Sequence, residues 1–303
     1  GAVVLSSDNA LIAFDTKTGL ISSWTVKGVS MLGHRGTIKP NFWRAVTDND
    51  MGAGLQKRYA AWRNPLMNLV GDLEVKSLAD GEAQVKAKYR LPDVKCNLTM
   101  TYTFNARGGI DCDMSLEPDT DATVPCMLRY GVVAQLPASM KYGNYMGRGP
   151  HENYIDRRES QLLGLYSTDA EKNFYPYIRP QETGNYCDVR WWQQTDINGV
   201  GIKAEAYDKS AKPDFGWGSV AALCYDIDEL DEGDDKHQRH PEQLKRSRYV
   251  NLFVDLAQAG VGGIDSWSWN AEALENYRLP LKPRTLKFRL TPTTPAKSPA
   301  VIK

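Results

Sequence analysis

The amino-acid sequence predicts an all-β protein made of antiparallel sheets packed face to face. Short apolar runs alternate with polar residues at a period of two, turn signals separate them, and no stretch carries a convincing helical period. Many short strands must each bury one face, and stacking two sheets buries both.

Leu11 to Trp24, LIAFDTKTGLISSW, holds two apolar runs around DTKTG and reads as a hairpin with Gly19 at the tight position. Ala83 to Leu91 alternates more weakly. Leu98, Met100, Tyr102 and Phe104 then alternate with polar residues, NARGG turns the chain, and Ile110, Cys112, Met114 and Leu116 alternate again, the clearest hairpin of the sequence. A short helical turn is expected near Asp228 to Leu230. Leu286, Phe288 and Leu290 mark a closing strand at Thr285 to Pro292, so a single β-sandwich domain is expected over residues 1–292, with 293–303 as a frayed tail.

Large β-sandwiches reach 303 residues as one domain. Lysine plus arginine equals aspartate plus glutamate at 37 each, so no net field draws the chain to nucleic acid or to an anionic membrane. A neutral partner is expected. No run of eighteen apolar residues occurs, and GAVVLSSDNALIAFD shows neither the basic region nor the long apolar stretch of a signal peptide. Gly1 reads as a cloning remnant, and the strand-like opening reads as an excised domain or a trimmed small chain. The cellular compartment stays open. Five cysteines without a CxxC argue against a zinc site and a disulfide framework; Cys96 and Cys112 sit where a hairpin bridge could form, but buried free thiols are expected.

Chemistry-bearing residues concentrate in mid-chain, in GRGPHENYIDRR (Gly147 to Arg158) and NFYPYIRPQETGNYCDVRWW (Asn173 to Trp192). Neither stretch has a core-like period. Arg148, Arg157, Arg179 and Arg190 offer donor forks, Glu152, Asp156, Glu182 and Asp188 offer acceptors, and Asn153 offers both. Tyr154, Tyr175, Tyr177, Trp191 and Trp192 supply flat faces that suit the C–H side of a sugar. Gly147, Gly149 and Pro150 are expected to hold irregular backbone there. Two readings stand side by side: a binding surface for a polyhydroxylated ligand, in which Arg148, Glu152, Asn153, Arg157, Glu182 and Arg190 are the candidate sugar-loop residues, or polar residues that merely tie long loops down.

Asp48, Asn49 and Asp50 in WRAVTDNDMG are too few for a calcium site, and Asx-turn chemistry accounts for them. Asp226 to Arg248 is an acidic run followed by a basic one, without EF-hand spacing, and reads as a solvated loop. No metal and no cofactor are expected. His34, His151, His237 and His240 form no HExxH, no GxSxG occurs, and GVGG at Gly260 to Gly263 lacks dinucleotide-loop spacing. Asp265, Ser266 and Trp267 in GGIDSW are the sharpest site candidate, because a tryptophan after a flexible glycine tract can project and stack on a sugar. Its competing reading is a core tryptophan at a strand end.

The paired signature GRGPHENYIDRR and YPYIRPQETGN, with NFWRAVTDNDMG before it, GVGGIDSW after it and a closing strand at Thr285 to Pro292, resembles the C-terminal domain, or separate small chain, of family-two β-galactosidases over nearly the whole length. Val46 stands where the family pattern has proline. The resemblance implies a large antiparallel β-supersandwich of the galactose mutarotase-like kind. It also implies a partner, the catalytic barrel domain or large subunit of a β-galactosidase, and a galactoside substrate hydrolysed with retention. Trp267 would be the residue reaching into the barrel's active site, with Asp265 and Ser266 beside it. A retaining glycosidase needs two carboxylates about 5 to 5.5 Å apart, and in the family both come from the barrel, so no catalytic residue is assigned to this chain and it should be inactive alone. Two rivals remain, a non-catalytic carbohydrate-binding module and a mutarotase-like epimerase using His151 and Glu182.

Overall fold

Two large antiparallel sheets hold nearly all of the strands, and the alternation of their side chains explains how they stack. The computed structural model describes residues 1–207, 218–231, 233 and 239–294. In the first sheet the strands lie in the order Ala2–Ser6, Ala10–Asp15, Ile21–Val26, Ile38–Asn41, Arg129–Pro137, Tyr249–Gln258, Ser219–Leu223 and Asn185–Cys187. The second sheet runs Leu162–Asp169, Tyr142–Gly149, Trp191–Thr195, Gly201–Ala206, Arg284–Thr293, Ile110–Pro118, Cys96–Phe104, Ala83–Leu91 and Asn68–Leu69. The expected hairpin forms with Phe104 opposite Ile110 and Leu98 opposite Leu116. Gly19 closes the first hairpin at φ +70°, a conformation that other residues rarely adopt.

Cys96, Leu98, Met100, Tyr102 and Phe104 all face inward, as do Ile110, Cys112, Met114 and Leu116, and they join the first sheet in one core. Phe14 meets Tyr102 across it at 5.3 Å. Buried polar groups stitch the layers together: the Tyr130 hydroxyl donates to Met114 O (2.9 Å), and Trp24 Nε1 donates to Gly108 O (3.0 Å). All five cysteines are free thiols, and burial pushes the Cys96 thiol up to about 11.

Arg129–Pro137, Ser219–Leu223 and Tyr249–Gln258 are buried on both faces. Their outward residues Val133, Ala221 and Phe253 form a second apolar cluster with Ala45 and Leu230. Loops therefore cover the outside of the first sheet, the first signature segment through Ala45 and the 226–248 segment through Leu230 among them.

Several expectations are corrected. Gly147 and Gly149 belong to a regular strand, where they provide space: a Cβ on Gly149 would stand 2.2 Å from the Tyr145 hydroxyl. Trp192 is fully buried and stacks on Tyr145 at 4.6 Å, and Tyr154 is buried as well, so both are core residues. The final strand extends to Thr293, past the expected boundary, and the remaining tail expectation falls on residues 295–303, outside the described ones. Segment 226–248 is described except for 232 and 234–238; the expected helical turn is present at Ile227–Leu230. Asp231 is not solvated, because it is 3% exposed and accepts from Trp43 Nε1 at 2.5 Å.

Candidate functional site

The four signature segments converge on the covered side of the first sheet, and each holds the next. Thr47 caps a single helical turn, Asp48–Gly52: its hydroxyl accepts from Asp50 N (3.1 Å) while Asp50 Oδ2 accepts from Thr47 N (3.0 Å). This reciprocal cap, rather than a bare Asx turn, is what TDND encodes. Asp50 also pairs with Arg44 (2.9 Å), and both are buried. Arg44 Nη1 and Nη2 reach on to Ala259 O and Gly260 O, the entrance of the glycine tract. A buried cation so surrounded is satisfied at every donor named, and it fixes one loop against another.

From Gly260 onward the tract is packed, not flexible. Gly262 N donates to Asp156 Oδ2 (2.7 Å), and a Cβ on Gly263 would stand 2.2 Å from Ala271 O. Asp265 Oδ1 then accepts from Trp267 N (3.1 Å) and Ser268 N (3.0 Å), and Oδ2 accepts from Ser268 Oγ (2.6 Å). The Ser268 hydroxyl, with these backbone donors, holds the carboxyl below the usual aspartate range. Asn49 Nδ2 donates to Asp265 O (3.2 Å), and Gly52 lies so close to Ser266 that a Cβ would sit 2.4 Å from its carbonyl oxygen. The outcome is a braced loop that presents Trp267 at 80% exposure, flanked by Trp269 (74%) and Ile264 (75%). A core role for Trp267 is thereby removed. Asp265 supports the turn, and Ser266 is the contact point with the Asp48–Gly52 helix.

The mid-chain candidates divide by burial. Asn153 is fully buried, its Nδ2 donating to Arg148 O and His151 O and its Oδ1 accepting from Cys187 N, all at 3.0 Å. Glu182 is 5% exposed and pairs with Arg129 (3.0 Å), whose Nε lies 3.1 Å from Asp255 Oδ2. Gly131 makes room for that aspartate, since a Cβ would stand 2.1 Å from Asp255 Oδ1. Burial, with Glu182 adding its charge and Arg129 opposing it, pushes Asp255 up to about 7. Neither Asn153 nor Glu182 is placed to meet a sugar. An epimerase built on His151 and Glu182 loses its base, because Glu182 is sealed behind Arg129 while His151 is exposed.

Arg148 binds Asp188 and Glu159, and Arg190 donates to Asp188 O (2.8 Å), so these two brace the strand ends. Arg179 pairs with Asp48 (2.8 Å), joining the third segment to the first. Glu152 accepts from Gly184 N (2.6 Å), Thr183 Oγ1 (3.1 Å), Arg157 Nη2 (2.7 Å) and the Tyr177 hydroxyl. Arg157 stays at the surface with its guanidinium 4.8 Å over the Tyr154 ring. Among the described residues, no three His, Cys, Asp or Glu side chains gather as a metal site would require. Sequence reasoning did not single out Arg44, Arg129 or Asp255; their only signal is an isolated charge inside an otherwise apolar run.

Comparison with known proteins places these features. The family model described as "Beta galactosidase small chain" matches residues 6–291. A β-galactosidase of Priestia megaterium is 32% identical over 278 residues, 91% of this chain and 25% of that protein. One from Lactobacillus delbrueckii subsp. bulgaricus is 34% identical over 256 residues, 81% of this chain and 24% of that protein. The chain thus spans about a quarter of these relatives. In architecture it is similar to a galactose mutarotase related enzyme from Lactobacillus acidophilus, with a TM-score of 0.50, 11% identity, and coverage of 98% of this chain and 99% of that one. That likeness shows a galactose mutarotase-like fold. With a match running from Ser6 to Thr291 and taking in every segment that braces Trp267, the chain belongs to the β-galactosidase small-chain family.

Proposed function

We propose that this chain is the C-terminal domain or small subunit of a β-galactosidase, packing against a catalytic barrel and completing its pocket for terminal β-D-galactosides. The observation that carries the reading is Trp267, 80% exposed on a loop whose backbone is fixed by Asp265, Ser268, Asn49 and Gly52. Leaving an indole in water while ordering its loop costs free energy, and covering it with a sugar ring or a neighbouring wall removes on the order of 200 Å² from solvent. The retaining carboxylate pair would come from the barrel. Glu152 and Glu182, the obvious local carboxylates, are engaged by four donors and by Arg129 respectively, which supports a role for this chain in shaping a pocket rather than in bond cleavage.

A complementation assay tests it. The chain alone should leave a chromogenic β-galactoside intact, and mixing it with the large chain or barrel fragment should restore hydrolysis. Trp267→Ala should assemble normally yet lower kcat/KM by about ten- to a hundredfold, as expected for one lost stacking surface. Full activity in that variant would remove Trp267 from the pocket.

A further inference from the structure

We infer that a second cleft, between the strand ends at Tyr142 and Asp169 and the loop carrying Tyr175 and Tyr177, is an accessory site for a neutral oligosaccharide, distinct from the Trp267 loop. The cleft measures about 790 Å³, within the range of pockets that take drug-sized ligands, so it has room for more than a single small group. Its walls include Tyr142, Tyr175, Tyr177, Arg157, Asp169 and Lys172.

Three features give it sugar chemistry. Tyr175 is 58% exposed and meets Tyr177 at 4.7 Å and 54°, so two ring planes form an angled apolar corner for the C–H face of a pyranose. Arg157 is held with its guanidinium carbon 4.8 Å over the Tyr154 ring, Nη2 on Glu152 Oε1 (2.7 Å) and Nη1 on Glu152 O (3.2 Å); a guanidinium has five N–H groups, so others remain for ligand hydroxyls. Glu152 itself is filled by Arg157, Tyr177, Thr183 and Gly184, which makes it the positioning residue that sets both the fork and the ring. Charge then selects the ligand. Arg157 and Lys172 are balanced by Glu152 and Asp169 around the cleft, so a phosphate or sulfate gains no net attraction, whereas a neutral polyol finds donors and acceptors of both kinds. No residue of 260–272 lines this cleft, so its occupancy does not depend on Trp267.

Calorimetric titration of the full chain with a neutral galacto-oligosaccharide of three units is the test. Saturable millimolar binding is expected, weakened about tenfold by Tyr175→Ala, the loss of one stacking face, and unchanged by Trp267→Ala. Because Tyr175 is largely exposed, the variant should keep the wild-type circular dichroism spectrum and melting temperature. Absence of binding by the wild type, undiminished binding by Tyr175→Ala, loss of binding in Trp267→Ala, or tighter binding of a sulfated oligosaccharide would each overturn the assignment. The complementation result with Trp267→Ala is read separately, so failure of either site leaves the other standing.

Discussion

Buried charge is where single residues decide most in this molecule. Asp255 is completely buried, and its carboxyl rises to about 7 against an ordinary aspartate value of 3.8. Between those values the folded chain holds a proton that the unfolded chain has released, so this group's contribution to stability is complete below the lower value and declines as pH rises towards the upper one. Asp255→Asn keeps the shape and removes the titration. The melting temperature of the wild type, measured relative to that variant, should therefore fall as pH is raised from about 4 to about 7, and a constant difference across that range would mean that Asp255 ionises normally. Nothing in the local sequence announces this group. LFVDLAQ reads as an apolar strand with one acid in it, and only the tertiary placement of Arg129 and Glu182 turns that acid into a buried, coupled one. Trp267 is the opposite case. Its glycine-rich approach and acidic neighbour are local, so its projection was legible, although the reason for the glycines was not: they make room for Asp156 and Ala271 rather than bending freely.

Strands whose apolar and polar residues alternate in the sequence are legible there, whereas Tyr142–Gly149, which alternates in burial but is built of glycine and polar residues, is not. Ala83–Leu91, Cys96–Phe104 and Ile110–Pro118 each bury one face and so carry a period of two. Arg129–Pro137 and Tyr249–Gln258 bury both, through the core on one side and covering loops on the other, and their near-continuous apolar composition hides the pattern. The helical turn Asp48–Gly52 is too short to have a period at all; only its capping box marks it. That turn nonetheless controls the loop beside it. A methyl group at Gly52 would collide with the backbone of Ser266, which cannot swing aside as a flexible side chain would. Gly52→Ala should thus displace Trp267, cutting kcat/KM of the complemented enzyme towards that of Trp267→Ala, while overpacking at this edge costs about 1 to 3 kcal/mol in denaturant unfolding. Wild-type kinetics in Gly52→Ala would show that the helix does not set the loop.

At the scale of the whole molecule, the short loop that carries Trp267 also carries Ile264 and Trp269, each about three-quarters or more exposed. Scattered exposed apolar residues need no explanation, but three large ones within six residues of a braced loop mark a surface suited to being covered. The relatives are about four times longer than this chain, so each contains a large body of protein able to cover it. The sandwich class was legible from turns and alternation, whereas the order of strands was not. Ile38–Asn41 pairs with Arg129–Pro137 across a long excursion through the second sheet, and such pairing leaves no local trace; the resemblance to the family supplied the topology instead. If the Ile264 face is the docking surface, charge placed there should be tolerated by the isolated chain and resisted by the assembly. Ile264→Asp is expected to leave the melting temperature of the chain unchanged, since the side chain is 75% exposed, and to raise the dissociation constant for the large chain or barrel fragment by at least about tenfold, the cost of burying an unpaired carboxylate in place of an apolar contact. Measured by titrating the fragment with chain and following restored hydrolysis, a half-saturation point equal to the wild type would place the docking surface elsewhere on the sandwich.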